Sequence, residues 1–118
     1  MIPKKADLAN TISLAKQAIT NGRCFFGTDS TKILEEFDQL LMGDIKEIWI
    51  LILHLLEEIE PKNYLANPTH EGPETYTFRW KSRKMKQTMR IEFAVKKGIF
   101  YYFSLQAVPK KSIRMFVN

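Results

Sequence analysis

Residues 89–106 read Met89-Arg90-Ile91-Glu92-Phe93-Ala94-Val95-Lys96-Lys97-Gly98-Ile99-Phe100-Tyr101-Tyr102-Phe103-Ser104-Leu105-Gln106. Two runs rich in β-branched and aromatic residues, divided by a short basic segment ending in glycine, predict a β-hairpin. A loop of two residues (Lys97, Gly98) or three (Lys96 to Gly98) decides which side chains share a face. Three is the reading adopted, because glycine in the third position suits a type I turn closed by a left-handed residue.

In that register Val95 faces Ile99, Phe93 faces Tyr101 and Ile91 faces Phe103, an apolar ladder on one side. The other side then carries Arg90, Glu92, Tyr102, Ser104 and Gln106. A two-residue loop places Ser104 opposite Ile91 and Leu105 opposite Arg90, which mixes polar and apolar residues on both faces. The polar side of the hairpin is thus a candidate site.

Just upstream, residues 76–81 alternate strictly. Tyr76, Phe78 and Trp80 fall on one face, and Thr77, Arg79 and Lys81 on the other, as in a half-buried strand with a basic outer side. Residues 82–87, with Arg83, Lys84 and Lys86, form a basic turn into the hairpin. After the hairpin, Val108-Pro109 breaks the sheet, and Lys110, Lys111 and Arg114 accompany a last short strand at 113–117.

The first half is helical. Leu8, Ile12, Ala15 and Ile19 make one stripe over residues 7–20, and Asn21-Gly22 stops it. Residues 23–27 are a short extended connector, with Cys24 a small buried hydrophobe rather than a nucleophile. A second helix opens at Asp29 or Ser30, carries Ile33, Leu34, Phe37, Leu40 and Leu41, and ends at Gly43. Asp44, with Glu47 three residues on, caps a third. Its main stripe is Ile45, Ile48, Trp49, Ile52, Leu56 and Ile59, and Ile50, Leu51 and Leu53 widen the apolar arc almost all round, as befits a central helix. Pro61 closes the helical half, and a polar loop with Asn67-Pro68, His70 and Gly72-Pro73 follows. The expected fold is α+β: three N-terminal helices on one face of a C-terminal antiparallel sheet of three or four strands, in a single domain spanning 1–118.

At 118 residues, 45% apolar and 26% charged, the chain suits one globular domain with its own core. A single cysteine allows no intramolecular disulfide and supplies no metal cluster, which fits a reducing cytoplasm. The longest apolar run, 48–53, is far short of a bilayer span, and the start of the chain lacks a signal-peptide core. Neither membrane nor cofactor is expected.

The net charge of +5 is unevenly placed. Residues 1–78 hold 7 Lys and Arg against 12 Asp and Glu, whereas residues 79–118 hold 11 against Glu92 alone. A strongly basic back half points to a polyanionic ligand, and RNA is the expected partner. The plain alternative is a sheet face that Lys and Arg merely solvate.

The outer face predicted from these strands carries Arg79, Lys81, Arg90, Glu92, Tyr102, Ser104 and Gln106. Arginine on a rigid strand grips phosphate bidentately, and tyrosine stacks a base or donates a hydrogen bond. The same set is compatible with metal-free RNA cleavage: Glu92 as base for the 2′-hydroxyl, Arg90 and Lys81 as cations for the phosphorane, and Tyr102 or an Arg or Lys as acid. Arg79, Arg83, Lys84, Lys86, Lys110, Lys111 and Arg114 are the expected RNA-binding residues around it. No glycine-rich phosphate loop, Cys/His ligand spacing or Gly-x-Ser-x-Gly elbow is present.

The order of features also resembles a family. The helix ending at Gly43, the Asp44-capped helix with its acidic end, Lys62-Asn63-Tyr64, Gly72-Pro73, Phe78-x-Trp80, the Arg90-Ile91-Glu92-Phe93 strand and Phe103-Ser104-Leu105-Gln106 together resemble MqsR-type toxins of bacterial toxin–antitoxin modules, within the RelE-like ribonuclease fold. The resemblance covers about the last three quarters of the chain and implies an mRNA interferase neutralised by a protein antitoxin. The family's strand tyrosine falls on Arg90, its C-terminal basic residue on Gln106, the polar position after its tryptophan on Lys81, and the position after its loop tyrosine on Leu65. Either the cations are relocated to Arg79, Lys81, Arg83 and Arg90, or this is a binding-only relative. The alternatives to a ribonuclease are a non-catalytic nucleic-acid-binding or regulatory module and a protein-interaction domain that docks an acidic partner.

Overall fold

A computed structural model describes residues 4–27, 45–65 and 75–108. Its elements are α1 (Lys5–Thr20), β1 (Cys24–Phe26), α2 (Ile45–Glu58), a 3-10 turn (Pro61–Asn63), β2 (Thr75–Ser82), β3 (Gln87–Lys96) and β4 (Ile99–Ala107). The class is α+β, as expected. The four strands form one sheet in the order β1-β4-β3-β2.

The sheet is mixed rather than wholly antiparallel. The segment expected as a connector is β1, which runs parallel to β4 with Cys24 beside Phe100 and Phe26 beside Tyr102. Three residues with two phenylalanines are too short for a periodic signal, so only the neighbouring strand defines this one. Two helices are described. The expected helix at 29–41 and the strand at 113–117 lie outside the described residues, as do Asp44, Lys110, Lys111 and Arg114.

Helix α1 ends as its sequence dictates. Gly22 takes a φ of +74°, its N–H donates to the carbonyl of Ile19, and Arg23 N–H donates to that of Ala18 at 2.8 Å. This is the paired closure that a left-handed glycine after the C-cap provides. Leu8, Ile12, Ala15, Ala18 and Ile19 are buried on its inner side. Helix α2 buries Ile48, Leu51, Ile52, Leu55 and Leu56. Ile45 and Ile50, assigned above to its apolar arc, are more than half exposed.

The hairpin differs most from expectation. Lys96 pairs with Ile99, so the loop is Lys97-Gly98, and both residues have positive φ, 51° and 75°. That is the type I′ geometry whose twist matches the flanking strands. From the turn the register runs Val95 to Phe100, Ala94 to Tyr101 and Phe93 to Tyr102. Between Glu92 and Phe93 it shifts, so that Glu92 pairs with Ser104, Ile91 with Leu105 and Arg90 with Gln106. Phe103 is therefore an unpaired bulge residue. The bulge removes the mixing of faces that counted against a two-residue loop, because it restores the alternation beyond the turn.

Tyr102 consequently faces the helices and is fully buried, which corrects its assignment to the outer face; Tyr101 points outward instead. The helix-facing side carries Tyr76, Phe78 and Trp80, Met89, Ile91 and Phe93, and Phe100, Tyr102 and Leu105, packed with both helices into one core. Phe93 stacks between Phe78 and Phe100 at ring-centroid distances of 5.7 and 5.1 Å, and each such pair is worth about 0.5–1.5 kcal/mol beyond the area it buries. Trp49 of α2 closes the β1 end, stacking on Phe26 at 4.7 Å and meeting Phe100 edge-on.

Candidate functional site

Strand alternation and the observed register fix which residues share the side away from the helices. One row is Arg79 of β2, Arg90 of β3 and Gln106 of β4; the next toward the hairpin turn is Thr77, Glu92 and Ser104. Lys81 lies beyond the first row, beside Thr88. Arg79, Lys81 and Gln106 are exposed, and Arg90 and Glu92 half-buried. The structure thus brings Lys81, Arg90, Glu92 and Gln106 of the expected catalytic set onto one face and places Tyr102 on the other.

Arg79 and Arg90 are directly opposite one another. Residues so paired have Cβ atoms about 4.5–5.5 Å apart, where like charges are destabilising. Among the described residues neither arginine makes an ion pair. Glu92, two residues from Arg90 on the same face, is not without a partner.

Four residues, Arg83 to Lys86, connect β2 to β3, since Ser82 pairs with Gln87. Arg83, Lys84 and Lys86 are all exposed, and Lys86 has a φ of +57°. This turn is held by Glu58 at the last position of α2. The carboxylate oxygen Oε1 accepts from Trp80 Nε1 at 2.9 Å and from Ser82 Oγ at 2.7 Å. Oε2 accepts from the backbone N–H groups of Arg83 at 3.1 Å and Lys84 at 2.9 Å, and Ser82 Oγ accepts from Met85 N–H at 3.0 Å. Partial burial pushes the Glu58 carboxyl upward, but the donors from Trp80, Ser82, Lys84 and Arg83 outweigh it and hold the group below its ordinary value.

Glu58 was not among the residues singled out from sequence. A signal existed: Glu57, Glu58 and Glu60 crowd the C-terminal end of α2, where the helix dipole disfavours acids. An acid there is retained when something donates to it, and here the basic turn does. Between the two elements lies an open groove of about 580 Å³, lined by Glu57, Glu58, Glu60, Lys62, Asn63, Trp80, Lys81 and Arg83. Its mixed charge gives it no preference for one sign of ligand.

Cys24 is half-buried, and burial raises its thiol pKa, so it is a packing residue and not a thiolate nucleophile. No group of three His, Cys, Asp or Glu side chains among the described residues is placed to hold a metal ion. No described helix is long and apolar enough to cross a membrane. Compared with known proteins, the chain matches no family model, no curated protein and no solved structure.

Proposed function

We propose that this protein binds RNA through the basic end of its outer sheet face, with Arg79 and Arg90 on the strands and Arg83, Lys84 and Lys86 on the turn as phosphate contacts. The observation that carries this reading is the facing Arg79–Arg90 pair. Two cations set opposite each other on rigid strands are unfavourable alone and become favourable when a phosphate sits between them. The Glu58 latch supports the same reading, because it orders a cationic turn beside that pair and reduces the entropy lost on binding.

A second reading is RNA cleavage as the toxin of a toxin–antitoxin pair. It is favoured by Glu92 lying about 6.6–6.8 Å along the strand face from Arg90, a candidate base beside a candidate phosphate clamp. With Tyr102 in the core, the acid in that reading is Lys81 or an arginine.

Incubation of the purified protein with a labelled RNA, with and without EDTA, separates the two. RNA retained intact in a salt-sensitive complex supports binding alone, and cleavage that survives EDTA supports the metal-free nuclease. Absence of any salt-dependent RNA binding rejects both.

A further inference from the structure

A second cluster lies at the opposite end of the outer face, next to the hairpin turn, and none of its residues belongs to the set above. Phe25 of β1 and Tyr101 of β4 are register partners. Their rings have centroids 6.2 Å apart and planes 28° from parallel. Phe25 is 55% exposed although it sits on a strand whose neighbours Cys24 and Phe26 pack into the core. Phe25 therefore leaves an aromatic surface on the edge strand that a ligand can cover.

Cations surround this pair. Arg23 precedes β1, its carbonyl accepting from Phe100 N–H. Its guanidinium Nη1 lies 3.9 Å from where a Cβ on Gly98 would be, which places the charge at the hairpin turn. Lys96 is two residues along β3 from Ala94, the partner of Tyr101, and Lys97 is in the turn itself. All three are exposed.

We propose that Phe25 and Tyr101 form a base-stacking platform for single-stranded nucleic acid, with Arg23, Lys96 and Lys97 holding the adjoining phosphates. A near-parallel aromatic pair with one ring more than half exposed, rimmed by cations, complements a nucleotide, which has a π face and an anionic backbone. A duplex hides its base faces in the stack and reaches only the cations. An acidic peptide satisfies the cations but leaves the rings uncovered. The inference rests on the RNA-binding reading and adds to it the strandedness of the ligand: one strand, stacked at the hairpin end and held by phosphates toward the Arg79–Arg90 end.

The test is fluorescence anisotropy with a labelled 12-nucleotide oligouridylate, a 12-base-pair RNA duplex and polyglutamate, on wild type, Phe25→Ala, Phe25→Leu and Tyr101→Ala, with circular dichroism to confirm folding. Each ring removal is expected to weaken oligouridylate binding about 10- to 100-fold, Phe25→Leu included. Duplex affinity and the salt slope should stay at wild-type values. The triple change R23Q/K96Q/K97Q is expected to lower the single-strand salt slope by about 0.7 per lost contact.

Wild-type binding of oligouridylate that all three ring variants retain overturns the platform and leaves the basic-face reading standing. Equal losses for single strand and duplex also overturn it. If wild type binds polyglutamate but neither RNA, both readings fall.

Discussion

Glu58 Oε1 accepts the indole N–H of Trp80 at 2.9 Å and the hydroxyl of Ser82 at 2.7 Å, joining the end of α2 to the end of β2. The other oxygen of the same carboxylate receives two backbone N–H groups of the basic turn. Removing the carboxylate leaves four donors without it at once, the indole among them in a side chain only 5% exposed. Glu58→Ala is expected to cost about 2–3 kcal/mol and to lower the thermal midpoint by roughly 5–15 °C. A midpoint within 2 °C of wild type, by calorimetry, would show that the latch is not structural.

The same group sets an acid limb to stability. Its folded-state pKa lies below the ordinary value of 4.5, so the folded form binds the proton less readily than the unfolded chain. The stabilisation is fully present well above pH 4.5 and is lost as pH falls through the folded value. Urea unfolding from pH 6 to pH 3 should show Glu58→Gln less stable than wild type at pH 6, with the two curves converging as pH falls. Parallel curves over that range would contradict the assignment.

The facing arginines predict a trade of stability against affinity. Arg79→Gln or Arg90→Gln relieves a like-charge pair and is expected to stabilise the free protein by about 0.2–1 kcal/mol. The same substitution should weaken RNA binding and lower the single-strand salt slope by about 0.7. Denaturant midpoints and a salt titration on one variant read both effects. A variant that loses stability and keeps its RNA affinity would refute the phosphate-clamp role.

The hairpin turn offers a test of conformation apart from ligand. Lys97 has a φ of +51°, which strains a side chain that asparagine would replace more comfortably. Lys97→Asn is expected to raise stability by about 0.5 kcal/mol. Gly98→Ala has space, the nearest atom being Arg23 Nη1 at 3.9 Å, but with φ at +75° it should lose about 1 kcal/mol. Chemical denaturation of the two variants should therefore move in opposite directions.

Much of the framework is legible in the chain. The Leu8-Ile12-Ala15-Ile19 stripe and Asn21-Gly22 fix α1 and its end, because helical period and a left-handed stop are local properties. The alternation from Tyr76 to Lys81 fixes the two faces of β2, and the charge split between the halves marks the outer face as basic. All of these depend on spacing and residue type within a few positions.

What only the tertiary structure decides is how the strands are matched. The two-residue turn at Lys97-Gly98 sets Tyr102 opposite Phe93 in the core and turns Tyr101 outward, reversing what a regular ladder with a three-residue loop implies, and a bulge at Phe103 then shifts β4 by one residue so that Leu105 stays inside. Nothing local to Phe103 forces this. The bulge is favoured because a type I′ turn at Lys97-Gly98 and a buried Leu105 can coexist only if one residue is left unpaired between them. The parallel pairing of Cys24 to Phe26 with β4, and the reach of Glu58 across to Trp80 and the basic turn, have the same origin. They join residues distant in sequence, so their energies exist only once the chain has closed.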